Sequence, residues 1–228
     1  MKILVTICAR KGSKRVKNKN VRNLRDKPLI AHTIETAKKW GKADRIIVST
    51  DSEEIAKISR EYGAEVPFMR PNELSNDTAP KLPVIKHVLE YLMNEENEGF
   101  DLIVDLDPTS PLRTEEDIEN AYNIMVQKKP LNLFSVCSAR KNPYFNMVEL
   151  DDKGYAHLCK SHESPVFRMQ DTPSVYELNA SIYMYWTKYL LDMKNVINNN
   201  SIIYEMPYER SIDIDSEIDF KIVQMFMK

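Results

Sequence analysis

The chain opens with the sequence ILVTICA at residues 3–9, and RKGSKRVKNKN follows directly at residues 10–20. The first stretch is continuously apolar, which is typical of a strand buried on both faces of a parallel sheet. Six residues of the second stretch, which we call the basic loop, are cationic: Arg10, Lys11, Lys14, Arg15, Lys17 and Lys19. Because α/β proteins hold polyanions at the carboxyl ends of buried strands, we interpret the basic loop as a nucleoside triphosphate site. A solvated loop that binds nothing in particular is the alternative.

Strand and helix patterns then alternate through the first 140 residues. Further apolar strands are predicted at residues 46–48, 65–69, 102–104 and 133–136. Helical spacing of apolar residues predicts helices at residues 28–40, 51–62, 84–92 and 114–126. Asp51, with Glu54 three residues on, is expected to cap the second helix, and residues 114–117 read TEED, which resembles a capping box at the start of the fourth. This alternation predicts an α/β fold with a mostly parallel, twisted sheet between layers of helices, similar to nucleotide-binding Rossmann folds.

The pattern changes after about residue 140. Residues 141–177 contain several turn signals between short β segments, and we interpret them as a small β-rich arm inserted in the domain. A strand returns at residues 180–186, and the chain closes with SIDID at 211–215 and a helix at 217–227. We therefore expect a single domain, residues 1–228, that carries this arm.

The composition excludes several classes of protein. A formal net charge of -2 argues against a nucleic-acid partner, whose phosphates would have to be neutralised. No apolar run is long enough to span a bilayer, and residues 1–5 do not resemble a signal peptide. We therefore expect a cytoplasmic protein without membrane or nucleic-acid partners.

Asp213 and Asp215 are the first candidates for a metal site. In an extended segment, carboxylates two residues apart project from one face and repel each other unless a cation lies between them. A hard divalent ion such as Mg²⁺ suits such a pair and would also bridge phosphate oxygens. The alternative is a half-buried strand with solvent-facing acids, in which Asp215 or Ser216 caps the last helix.

Asp105 and Asp107 repeat this spacing at the end of a central strand. Asp107 precedes the stiff turn PTSPLR at residues 108–113, beside the expected ligand crevice. Arg113 in that turn either binds ligand or pairs with a local carboxylate. The chain carries no GxxxxGK[ST], GxGxxG or GxSxG motif. Phosphate binding is therefore expected to depend on long basic side chains such as Lys14, and catalysis on positioning and charge neutralisation.

Six motifs together resemble the acylneuraminate cytidylyltransferases, which are the CMP-sialic acid synthetases. They are ARKGSK at residues 9–14 with Lys19 and Asn20, IVSTD at 47–51, RP at 70–71, NDTA at 76–79, PTSPLR at 108–113 and SIDID at 211–215. Each motif is weak alone, but their order across nearly the whole chain is highly specific. The resemblance implies a fold related to GT-A glycosyltransferases and a projecting arm that builds a homodimer.

The same resemblance implies transfer of CMP from CTP to the anomeric hydroxyl of an acidic nine-carbon sugar, with release of pyrophosphate. It also implies roles for individual residues. On the nucleotide, Arg10 and Lys19 neutralise the triphosphate, Asn20 and Arg70 contact the nucleotide, and Asp77 and Thr78 lie at the base. Asp213 and Asp215 hold Mg²⁺ and help activate the sugar hydroxyl, and Arg168 pairs with the sugar carboxylate.

Departures from the family pattern suggest which sugar is used. Bacterial sialic acid members commonly have Gln where this chain has Asp107, Ser where it has Pro80, and Arg-Pro-Asn-Gly where it has ELNA at residues 177–180. The combination of Leu106-Asp107, NPYFN at residues 142–146 and NASIY at 179–183 is more similar to the legionaminic acid branch, and Asn179 is counted among the substrate-binding residues. We therefore expect N,N'-diacetyllegionaminic acid as the acceptor. The alternatives are a CMP-N-acetylneuraminate or CMP-pseudaminate synthetase, an octulosonate-specific enzyme, and a non-catalytic regulator that binds CTP or sugar.

Overall fold

A mixed sheet of six strands forms the centre of the molecule. The computed structural model describes residues 1–12, 15–76, 79–162 and 167–227. The strands are β1 Ile3–Cys8, β2 Asn23–Leu24, β3 Lys27–Pro28, β4 Arg45–Ser49, β5 Leu102–Leu106, β6 Asn132–Ser138, β7 Val148–Leu150, β8 Ala156–Leu158, β9 Tyr176–Trp186 and β10 Ser201–Glu205. The helices are α1 Leu29–Trp40, α2 Glu53–Glu61, α3 Lys81–Glu95, α4 Glu115–Lys128, α5 Thr187–Leu190 and α6 Glu217–Phe226.

The order of strands across the main sheet is β10-β6-β9-β5-β1-β4. β1 runs parallel to both β4 and β5, and β10 runs parallel to β6. β9 lies between β5 and β6 and is antiparallel to both. The predicted α/β fold with a mostly parallel sheet is therefore confirmed, and the antiparallel β9 is the feature that the alternating pattern did not predict.

Two apolar layers cover the sheet because side chains alternate between its faces. Ile3, Val5 and Ile7 of β1 pack with α1, α2 and α4 on one face. Leu4 points to the other face and packs with α3. The continuous apolar run at the start of the chain is thus explained by burial on both sides.

A third, smaller core lies under the basic loop. Val16 of that loop packs with Ile214, and Phe220 and Val223 of α6 belong to the same cluster. Through this cluster, α6 packs with both the basic loop and the segment that carries Asp213 and Asp215.

The helix caps follow the sequence signals with one exception. Thr114 and Asp117 form the predicted capping box of α4. The expected cap of α2 at Asp51 is wrong by one residue, because the Oγ atom of Ser52 accepts the hydrogen bond from the amide of Ile55. Asp51 instead accepts a hydrogen bond from the Lys11 amide at 2.7 Å. It thereby holds the start of the basic loop.

Two predicted extended segments are not strands of the sheet. The strand expected around residues 65–69 is reduced to one bridge between Ile47 and Glu65. Residues 211–215 lie outside any strand, and the amide of Ile214 donates to the carbonyl of Thr109 at 2.9 Å. Within residues 141–177, β7 and β8 pair as an exposed antiparallel hairpin. In the described part of the chain, no helix has both the length and the apolar character needed to cross a bilayer.

Candidate active site

The carboxyl ends of β1 and β4 face a cleft with a volume of about 120 Å³. Arg10, Lys19 and Asn20 of the basic loop line one side of this cleft, and Ser52 at the start of α2 lines the other. The side-chain amide of Asn20 donates through Nδ2 to the carbonyl of Arg10 at 3.3 Å. Its buried Oδ1 atom has no hydrogen-bond partner among the described residues. The Asn20 oxygen is therefore available to a donor on a bound ligand.

The basic loop meets the carboxylate segment from the far end of the chain. The ammonium of Lys19 donates a hydrogen bond to the carbonyl of Ile214. Arg15 and Asp215 form an ion pair at 3.0 Å. Cationic and acidic side chains separated by about 200 positions in the sequence are thus brought into contact.

Asp213 is the more buried of the two acids in this segment. Its Oδ1 atom is buried without a hydrogen-bond partner in the described structure. Burial, together with the nearby charge of Asp107, raises the pKa of Asp213 to about 6. A bound cation would stabilise the ionised Asp213 carboxylate, because it would offset both the burial and the repulsion by Asp107.

Asp215 differs from Asp213 in its surroundings. Its side chain is 56% exposed and forms an ion pair with Arg15. The sequence predicted that both acids project from one face of an extended segment, and the structure shows them at different depths. Ser216 and Asp219 form the capping box of α6, so the cap considered as an alternative exists next to the acidic pair. The two interpretations are compatible.

A buried ion-pair cluster at the end of β5 was not foreseen. The ammonium of Lys81, the first residue of α3, lies 2.8 Å from Asp105 Oδ2 and 3.0 Å from Asp107 Oδ2. It also lies 4.2 Å from the centre of the Tyr183 ring. Asp105 is held from behind by the hydroxyl of Thr6 at 2.7 Å. No motif or spacing in the sequence marks Lys81, because its partners are 24 or more residues away in the chain.

The charges in this cluster support one another. Burial raises the pKa of Asp107, but the Lys81 ammonium outweighs burial and holds the pKa below its ordinary value. Burial likewise lowers the pKa of Lys81, and the two carboxylates more than reverse this effect. Asp107 and Lys81 are therefore both ionised at neutral pH.

Two buried arginines make hydrogen bonds to strand residues. Arg70 donates to the carbonyl of Ser49 and, at 3.0 Å, to its hydroxyl, which places it at the carboxyl end of β4. Arg113 donates to the carbonyl of Ser181 at 2.7 Å and to the hydroxyl of Thr33 at 3.0 Å. Arg113 also donates to the backbone carbonyl of Asp107 at 3.2 Å, and no ion pair joins it to a carboxylate among the described residues. Burial lowers its pKa to about 10.

The remaining predicted site residues lie apart from the cluster or outside the described structure. Asn179 is buried, and its side chain bonds to the hydroxyls of Ser135 at 2.6 Å and Ser211 at 2.9 Å. Arg168 is 67% exposed and pairs with Asp171 at 2.9 Å. Lys14, Asp77 and Thr78 fall outside the described residues.

The chemistry of the donors fits a magnesium ion at Asp213. Across the ranges that the structure describes, no group of three or more His, Cys, Asp or Glu residues forms a complete metal cage. Asp213 offers one unpartnered, buried carboxylate oxygen, and Asp215 lies two residues further on. Mg²⁺ is usually held by one or two carboxylates and takes its other ligands from phosphate and water.

Comparisons with known proteins identify a family for this chain. Residues 4–217 match the sequence model of the family described as Cytidylyltransferase. The chain is 43% identical over 228 residues to post-translational flagellin modification protein B of Campylobacter coli, which covers 99% of this chain and 95% of that protein. It is 42% identical over 227 residues to the CMP-N,N'-diacetyllegionaminic acid synthase of Campylobacter jejuni, which covers 99% and 94%.

A solved structure of CMP:2-keto-3-deoxy-manno-octonic acid synthetase complexed with CTP superposes with a TM-score of 0.72. The two chains are 18% identical, and the alignment covers 100% of this chain and 98% of the other. At this identity the likeness shows a shared fold.

Proposed function

The chain belongs to the cytidylyltransferase family, and we propose that it transfers CMP from CTP to the anomeric hydroxyl of a nonulosonic acid. The family assignment drawn from the six sequence motifs is confirmed by the match over residues 4–217. In the proposed reaction the sugar oxygen forms a bond to the α-phosphorus of CTP. The bond from that phosphorus to the bridging oxygen breaks, and pyrophosphate leaves with the bonding electrons.

The observation that carries this proposal is the meeting of the basic loop with the carboxylate segment. Lys19 bonds to the backbone between Asp213 and Asp215, and Arg15 pairs with Asp215 directly. Phosphoryl-group transfer of this kind needs cations for the phosphate oxygens and a nearby carboxylate for metal and proton. The junction of the basic loop with the carboxylate segment offers both.

The basic side chains act on the leaving group. Arg10 and Lys19 line the cleft, and in our proposal they neutralise the triphosphate with the help of Lys14. Their effect is largest on pyrophosphate as it leaves, because negative charge grows on its bridging oxygen during the reaction. No protein nucleophile is required.

The acidic side chains act on the attacking hydroxyl. Asp213 and Asp215 would hold Mg²⁺, which when bound neutralises phosphate charge and makes the sugar hydroxyl more acidic. Asp215 is exposed just before α6 and accepts the proton of that hydroxyl in our proposal. Asp213, with its pKa raised to about 6, is ionised at neutral pH, and a bound cation would offset its burial beside Asp107.

The nucleotide is proposed to lie between the basic loop and α2. The open Oδ1 atom of Asn20 would accept a hydrogen bond from it. Arg70, fixed on Ser49, supports the same wall. Asp77 and Thr78 stay assigned to the base on the ground of the family resemblance.

For the second substrate, we propose N,N'-diacetyllegionaminic acid. The 42% identity over nearly the full length of a synthase named for that sugar supports this choice, as does Asp107 at the end of β5. Asp107 and Asn179 are assigned to the sugar ring and its substituents, and Arg168 to its carboxylate.

The test offers CTP and Mg²⁺ with legionaminic, pseudaminic, N-acetylneuraminic and octulosonic acids separately, and identifies each CMP-sugar by mass. Preferential formation of CMP-N,N'-diacetyllegionaminate is the expected result. Equal or better use of N-acetylneuraminate or pseudaminate would refute the choice of acceptor, while no product with any acid would favour the non-catalytic regulator.

The assembly and the arm are part of the proposal. We propose that residues 141–177 project as an arm and that two chains pair through it. The exposed apolar side chains of Val148, Leu150 and Phe167 are consistent with such a contact. A cytoplasmic location and the absence of nucleic-acid or membrane partners stay predictions from the sequence.

A further inference from the structure

Asp107 offers a bound ligand one kind of contact only. A carboxylate has about four acceptor positions on its two oxygens. The amide and hydroxyl of Thr109 occupy Oδ1 at 3.2 and 3.0 Å, and Lys81 occupies one position on Oδ2 at 3.0 Å. The side chain is 20% exposed, and the last position on Oδ2 has no partner among the described residues. Because an ionised carboxylate carries no hydrogen, that position can receive only a donor.

Lys81 is what keeps this arrangement in place. Its ammonium is shared between Asp107 and the fully buried Asp105, and it packs over the ring of Tyr183. Asp105 is itself bonded to Thr6 on β1. Lys81 cannot swing away without leaving a buried charge unpaired, which is strongly unfavourable. Asp107 is therefore fixed in both orientation and charge.

We propose that Lys81 is a positioning residue that makes Asp107 a contact for hydrogen-bond donors, so that the site selects a nonulosonic acid with an N–H or O–H group at that point. This inference rests on the function proposed above, in which Asp107 faces the acceptor sugar. The donor can be the N–H of an acylamino substituent or a sugar hydroxyl, because both present the same hydrogen to the carboxylate.

The test pairs changes in the enzyme with changes in the acceptor. Wild type and Lys81→Met are assayed with N,N'-diacetyllegionaminic acid and with analogues in which hydrogen replaces, one at a time, the 5-acylamino, 7-acylamino, 4-hydroxyl or 8-hydroxyl group. For wild type, one replacement should lower kcat/KM by about 10- to 100-fold, as loss of a hydrogen bond to a charged group does. For Lys81→Met, the same replacement should matter less than about threefold, and the identity of that analogue tells the N–H and O–H sources apart.

A merely structural role of Lys81 gives a different pattern. It would lower kcat/KM for all acceptors equally and leave the ratio between them unchanged, which would overturn the inference. A rise in the KM for CTP as large as the rise for the sugar would also overturn it, because the ammonium would then serve the nucleotide. Lys86→Met is the matched control, since Lys86 lies on the same helix but donates to the carbonyls of Leu191 and Met193.

A second variant covers the case in which Lys81→Met does not fold. Lys81→Met combined with Asp105→Asn removes the unpaired buried charge and should show the same loss of discrimination between acceptors. If wild type forms no CMP-sugar with any acceptor, the proposed function itself fails. If wild type is active and either variant keeps the full discrimination, only the role of Lys81 fails.

Discussion

The ammonium of Lys19 donates a hydrogen bond to the carbonyl of Ile214, the residue that separates Asp213 from Asp215. This contact ties the loop after the first strand to the segment before the last helix. The small core formed by Val16, Ile214 and Phe220 supports the same junction. The spacing between the cations and the carboxylates is therefore set by the fold before any ligand binds.

Replacing Lys19 by Met should impair both phosphate binding and the placement of the acids. We expect kcat/KM for CTP to fall by about 10- to 100-fold, the cost of a lost charge-assisted contact. Steady-state kinetics with CTP as the varied substrate measures this. Lys17→Met, at an exposed lysine of the same loop, is the control and should change kcat/KM by less than about threefold. Equal losses in the two variants would show that total loop charge matters and the Ile214 contact does not.

Replacing Asp213 by Asn should stabilise the metal-free protein at neutral pH. The pKa of Asp213 is raised to about 6, so the folded state binds a proton more tightly than the unfolded state does. The ionised carboxylate therefore costs stability, fully above the folded pKa, and the cost disappears as pH falls towards the unfolded value of about 4. We expect a gain of about 1 kcal/mol at pH 7.5 and none at pH 4.

Thermal unfolding of wild type and Asp213→Asn in EDTA across this pH range gives the comparison. A variant that is less stable than wild type at pH 7.5 would contradict the burial of an uncompensated charge. Added Mn²⁺ should reverse the order, because wild type binds it and the variant loses a carboxylate ligand.

Replacing Asp215 by Asn should abolish turnover while the fold survives. The side chain is exposed and its loss removes only a surface ion pair with Arg15, which contributes little to stability. Turnover should fall by at least about 100-fold, since the variant loses a metal ligand and the proton acceptor together. Glu217, two residues further on, forms a comparable ion pair with Arg22, and Glu217→Gln should keep its activity. Retained turnover in Asp215→Asn would remove this residue from the mechanism.

Among the polar residues of α4, Asp117 should contribute most to the free energy of unfolding. Its carboxylate caps α4 through Thr114 and pairs with Arg210 through two hydrogen bonds of 2.9 Å. Asp117→Ala leaves Arg210 without this partner, and we expect a loss of about 3 kcal/mol in the free energy of unfolding. Urea denaturation measures it, with the exposed neighbour Glu116→Ala as control. A loss below about 1 kcal/mol would show that the pair is replaceable by water.

Local signals in the sequence predicted the elements whose structure depends only on residues close to them in the chain. The apolar run of β1 and the capping box of Thr114 each determine their own structure, so both were identified correctly. The cap of α2 was displaced from Asp51 to Ser52 because Asp51 bonds to Lys11, a residue 40 positions away. Tertiary contacts of this kind leave no local trace.

The candidate site was likewise predictable only where local sequence determines it. The basic loop and the acidic pair are visible as charge patterns, and the family resemblance assigns both to one site. The antiparallel β9 and the cluster of Lys81 with Asp105 and Asp107 depend on how distant segments pair, and no spacing rule predicts them. The different depths of Asp213 and Asp215 likewise follow from the packing of Ile214 under α6.

The most direct test of the proposed CMP transfer is acceptor-dependent release of pyrophosphate from CTP, followed by ³¹P NMR on the full chain with Mg²⁺. With N,N'-diacetyllegionaminic acid, we expect one pyrophosphate for each new phosphodiester of CMP-sugar, and almost none without the sugar. Pyrophosphate release that is independent of the sugar, or no release with any nonulosonic acid, would contradict it.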